Sequence, residues 1–174
     1  MASGLDAALV QAWRTNNSVN SSLVRQIAPT LWSAEIPGIP RRTIRAVAAH
    51  LHNSRCSWIK TLGSEHGITA PLRVDQYRVT ASAVAGALAR SSAGIEAVLR
   101  LGLANGGVVP PSRRYVWRNL PLDVSHVLTY FVAHEAHHRG QIVMAARQLG
   151  LRLPREATDG LWQWSRILRE NRAR

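Results

Sequence analysis

Cysteine is almost missing from this chain. Cys56 stands alone among 174 residues, so no intrachain disulfide can staple the fold, and a reducing, cytoplasmic setting is the expectation. Lysine is nearly as scarce: Lys60 is the only one among 22 basic residues, the rest being arginine. Acidic residues number 10, which leaves a formal charge of +12. Long apolar runs are lacking too. No stretch approaches the ~18 consecutive apolar residues that a membrane span needs. The opening segment sets Asp6, Arg14 and Arg25 among Asn and Ser, without the apolar centre of a signal peptide. These absences argue against a disulfide-framed secreted module and against a membrane-spanning helical protein.

What is present suits one globular domain over residues 1–174, because hydrophobic residues make up 46% of the chain and this length can bury a core without staples. The basic excess would attract nucleic acid or another polyanion. The arginines are spread along the chain, however, with doublets only at Arg41-Arg42 and Arg113-Arg114. Nothing beyond charge supports a nucleic-acid partner.

Apolar periodicity predicts helices and no strand. The first runs from about Leu5 to Ile27 and stops at Pro29. The second begins after Pro40, near Arg41, and reaches about Ser64, with Ile44, Val47, Leu51, Ser54, Trp58 and Leu62 as its stripe. The third, about Val79 to Ala104, ends at Asn105-Gly106-Gly107, where glycine accepts the cap geometry. A long loop carries the basic aromatic run Arg113-Arg114-Tyr115-Val116-Trp117-Arg118. The fourth helix runs from near Leu122 to Leu149-Gly150, and a short fifth from about Arg155 to Arg172. The expected fold class is all-α: a four-helix bundle with a short additional C-terminal helix.

Chemistry concentrates in the fourth helix. Its stripe reads Val124, Val127, Phe131, His134, His138, Ile142, Ala145, Leu149. Four residues of an α-helix turn through about 400°, so His134 and His138 lie ~40° apart and one turn along. Each imidazole in a low-dielectric interior needs partners for two nitrogens, and one shared cation would satisfy both rings. A third ligand should come from another helix. His50 and His52 lie on opposite shoulders of the second helix; His50, with small neighbours Ala46, Ser54 and Ser57, is the favoured one and His52 the alternative. His137 and His126 fall to the side of the main stripe, and His66 lies in a polar connection. Three imidazoles leave a position open for water or a thiolate, as in catalytic zinc sites; nickel, copper and iron also accept imidazole. His134-Glu-Ala-His-His138 matches the HExxH spacing of zinc proteases, but no third ligand follows before the helix ends, which sets that reading aside. Cys56 reads as a small packing residue.

The segment His134-Glu-Ala-His-His-Arg-Gly-Gln141 resembles the H-x-x-x-H-R-G-Q signature of the DinB/YfiT-like superfamily. Ala49 to Trp58 is similar to its companion helix, and Gly160-Leu-Trp-Gln-Trp164 to its C-terminal segments. The resemblance implies a four-helix bundle with one metal ion, zinc or nickel, on His50, His134 and His138. It also implies outer support from Gln141, a homodimer, and in some relatives a low-molecular-weight thiol as co-substrate; His137, from its place on the helix, is a second candidate for that support or an ordinary structural residue. The expectation is therefore a metal-dependent enzyme of thiol-transferase or hydrolase type acting on a small molecule. Arg113, Arg114, Tyr115 and Trp117 are candidates for the mouth of its site. The alternative is a non-catalytic metal-binding stress or sensor protein.

Overall fold

Four long helices carry the architecture in a computed structural model that describes residues 4–116 and 118–172: α1 (Gly4–Arg25), α3 (Ile44–Gly63), α4 (Ala81–Ala104) and α5 (Val124–Gln148). A short α2 (Pro29–Trp32) caps the turn after α1, with proline at its start, where a missing N–H costs nothing. The C-terminal segment is two short helices rather than one, α6 (Arg155–Gly160) and α7 (Trp164–Arg172), separated by a turn at Leu161-Trp162. No strand occurs among the described residues; the only extended pairings are the isolated bridges Glu35 to Thr43 and Val108 to Asp123. Nor is any described helix long and apolar enough to cross a membrane.

Capping sets where two of these helices begin. Thr43 accepts a hydrogen bond from the Ala46 amide at 3.2 Å and opens α3; Thr80 does the same for α4 through Ala83. The start of α3 falls later than Pro40 suggests, because Arg41 takes a φ of 64° that no helix can include.

Helix α1 packs on α4 and α5, and α3 packs on the same two, so the order round the bundle is α1, α4, α3, α5. The core lies in two apolar clusters. One gathers Leu23, Val24, Val47, Leu51, Leu88 and Ile142; the other gathers Trp13, Ile59, Leu62, Ile95, Leu99 and Phe131. Between them, at mid-height on all four helices, lies a buried polar layer that includes Asn16, Asn20, Arg55, Ser91, Glu135 and Arg139.

Candidate metal centre

The exposed edge of that polar layer holds the histidines. His50 on α3 faces His134 and His138 on α5, with ring centroids 5.4 Å and 4.6 Å away. One ligand nitrogen from each of the three lies within 4.8 Å of the others. Nε2 of His134 and Nε2 of His138 are 3.2 Å apart. Two ligands on one ion at tetrahedral angles and ~2.0–2.1 Å bonds would stand roughly 3.3 Å apart, so the pair needs almost no movement to share a cation. The donor set fits a divalent ion.

Protonation favours the same use. Burial holds His138 well below the ordinary imidazole range, at about 4, against the opposing effect of the hydrogen bond it donates to Gln141. Burial also lowers His134 and His50, and for His50 the neighbouring His134, Arg42 and Arg73 add to the effect. All three rings are therefore neutral near pH 7, the state in which imidazole binds a metal.

Gln141 decides which nitrogen of His138 is free. Its Oε1 accepts from Nδ1–H of His138 at 2.8 Å, while its Nε2 donates to Nε2 of His137 at 3.0 Å. That pairing puts the proton of His138 on Nδ1 and leaves the Nε2 lone pair aimed at His134. Tyr130 lies nearly parallel to the His134 ring, 12° between planes and 5.9 Å between centroids, and limits its rotation.

His52 goes elsewhere. It is fully buried, its Nε2 donates to the Leu72 carbonyl at 2.9 Å, and it contacts Cys56 Sγ. His66 is exposed in a 3-10 turn, Ser64–His66, and His126 is an exposed partner of Asp123. Cys56 is buried, and desolvation raises its thiol pKa, so it is a packing residue rather than a nucleophile.

Two clefts meet at His50. One, about 240 Å³, is lined by Ser54, Ser57, Trp58, Thr61 and Arg73; the other, about 370 Å³, by Arg41, Arg42, Gln76 and Tyr77. The arginines at the mouth are thus Arg73, Arg41 and Arg42; the Arg113-Arg114 pair, a candidate for the mouth from the sequence although its loop reads first as a solvated one, lies elsewhere. Arg113 is exposed and bonded to Glu65. Tyr115 is turned inward, with its hydroxyl on the Leu120 carbonyl at 2.8 Å. Trp117 lies outside the described residues.

Behind the site lies a network that the sequence reading missed. Arg55 and Glu135 form an ion pair at 2.6 Å with both side chains 1% exposed. Asn16 and Asn20 each donate to the Glu135 carboxylate at 2.5 Å and accept from Arg139. Arg55 also bonds the Leu88 carbonyl at 3.0 Å and lies over the Trp13 ring. The signal was available. Trp13, Asn16, Asn20 and Leu23 are spaced 3, 4 and 3 on α1, a helical stripe with polar residues in its middle. Arg55 sits four residues from both Leu51 and Ile59 on α3.

In comparison with known proteins, the DinB family model matches residues 1–167. Searches of curated proteins and of solved structures give no match.

Proposed function

The chain belongs to the DinB family, and from that premise we propose that it is a metal-dependent enzyme of thiol-transferase or hydrolase type. It would hold one divalent ion, zinc or nickel, on His50, His134 and His138. The observation that carries this reading is the convergence of three neutral imidazoles from two helices, with donor atoms within 4.8 Å of one another. When bound, an ion on three neutral ligands keeps its full charge and an open position, and so acidifies a water or thiol there.

The chain's own residues supply the rest. Gln141 and Tyr130 fix the orientation of the paired histidines. The clefts on either side of His50, about 240 and 370 Å³, are where a small substrate and a low-molecular-weight thiol would bind. Glu135, one residue from His134, is committed to Arg55 and the asparagines, which removes it as a general base and argues against protease-type chemistry.

Elemental analysis of the purified protein beside three variants tests the ligand set. Wild type and His52→Ala should carry about one ion per chain, and His50→Ala and His134→Ala should lose most of it. Full metal in His50→Ala would remove it from the set. A screen with small thiols and electrophiles then tests the reaction class; a metal-replete protein that turns over none of them would be a binding protein instead.

A further inference from the structure

We propose that Arg73 receives an anionic group of the substrate beside the three-histidine site, held there by a strap that His52 and Asn53 fasten to α3. The inference rests on the metal-centre reading above and names the kind of molecule that centre would take: a small compound bearing a carboxylate or phosphate.

The connection from α3 to α4, residues 67–80, has no regular secondary structure except a turn near its end. A segment of this kind is ordinarily loose. Here adjacent side chains of α3 grip its backbone on both sides of Arg73. His52 Nε2 donates to the Leu72 carbonyl at 2.9 Å. Asn53 donates through Nδ2 to the Val74 carbonyl at 3.0 Å and accepts from the Val74 amide at 2.9 Å. Both gripping side chains are buried, His52 completely. Apolar packing anchors only one side of Arg73: Val74 packs against the core, whereas Leu72 is 89% exposed. The polar grip fixes the backbone on both sides of Arg73, whose exposed side chain lines the cleft.

That cleft joins the guanidinium of Arg73 to His50, to the hydroxyls of Ser54, Ser57 and Thr61, and to the Trp58 ring. A planar fork of donors suits a carboxylate or phosphate, and the hydroxyls of Ser54 and Thr61 stand beside it. Among the described residues no carboxylate pairs with Arg73. Asp75, on the same strap, spends Oδ1 on the Tyr77 amide at 2.8 Å. The site therefore has an anion receptor without an internal anion.

Cobalt-loaded full-length protein provides the test, because thiol ligation changes the cobalt absorption spectrum. Mercaptopropionate and mercaptoethanol share a thiol and differ in a carboxylate. Arg73→Ala should weaken mercaptopropionate about tenfold or more and leave mercaptoethanol unchanged, with cobalt content intact. Asn53→Ala keeps the charge but removes both bonds to Val74, loosening the strap beside Arg73, and should shift the same ratio in the same direction. Arg42→Ala, in the cleft across His50, should not. Equal weakening of both thiols by Arg73→Ala, or a selective loss with Arg42→Ala instead, overturns the assignment while the metal centre stands. A wild-type protein that takes up no cobalt overturns the metal centre and this inference with it.

Discussion

At the scale of single residues, the Glu135 carboxylate accepts four hydrogen bonds, from Asn16, Asn20 and two nitrogens of Arg55, in a place with almost no water. Such a pair is costly to break, because removing one member leaves the other charge buried and uncompensated. Glu135→Leu should destabilise the protein by about 3–5 kcal/mol in urea denaturation, and the double variant with Arg55→Met should regain a large part of that. A single-variant cost near zero would show that water reaches the layer. Proton binding gives a second residue-scale expectation, for metal-free protein. His138 titrates at about 4 when folded and near ~6.5 when unfolded. Between these values the unfolded chain holds more protons, so stability rises with pH: it is fully present above ~6.5 and is lost as pH falls towards 4. His50 and His134, also lowered, act in the same direction. Denaturation midpoints at several pH values should follow that slope, and His138→Ala should flatten it. Midpoints that rise on acidification would contradict the burial of these rings.

At the scale of elements, two glycines inside helices have opposite roles. A Cβ on Gly102 of α4 would come within 2.5 Å of Val124, at the start of α5, and within 3.1 Å of the Val109 backbone nitrogen. Gly102→Ala should therefore cost about 1–3 kcal/mol through displaced backbone. Gly140 of α5 is exposed, and a Cβ there would meet nothing within 4 Å. Gly140→Ala should stabilise by about 0.5–1 kcal/mol. Thermal melts of the two variants, moving in opposite directions, would check both. The helices themselves were legible because apolar spacing reports a buried face directly. The His134–His138 pair was legible as a polar interruption of such a face. The choice between His50 and His52 was only partly legible: small neighbours favour His50, but a wheel gives an angle on α3 and not the neighbour at that angle, α5 for one and the Leu72 carbonyl for the other. Arg55 was hidden for a related reason. A charged residue is left out of an apolar stripe by habit, yet its face of α3 is the most buried one, with Leu51 and Ile59 above and below it. The break between α6 and α7 depends on a local turn that the continuous Trp162–Leu168 pattern conceals.

At the scale of the whole molecule, the +12 charge sets the terms for any large partner. The homodimer expected of the family would bring two such charges together, so apolar contact must outweigh repulsion. One surface offers that contact: a groove of about 540 Å³ between α5 and the C-terminal helices, lined by Met144, Leu161, Trp162 and Trp164 among others. Trp162 is 84% exposed there and Met144 52%, an unusual display of large apolar side chains. Salt separates this association from the other one the charge invites. Repulsion between copies is screened as the Debye length shrinks from about 30 Å at 0.01 M to about 3 Å at 1 M, and apolar burial is not weakened by it. Self-association should tighten across that range. Binding to nucleic acid must instead weaken steeply, because it is driven by release of counterions. Sedimentation velocity at both ends of the range distinguishes the two, and Trp162→Ser should weaken the dimer at high salt. A protein that remains monomeric at 1 M salt at high concentration, yet binds DNA tightly at low salt, would mean that the positive surface serves a polyanion and that the groove is not where two copies meet.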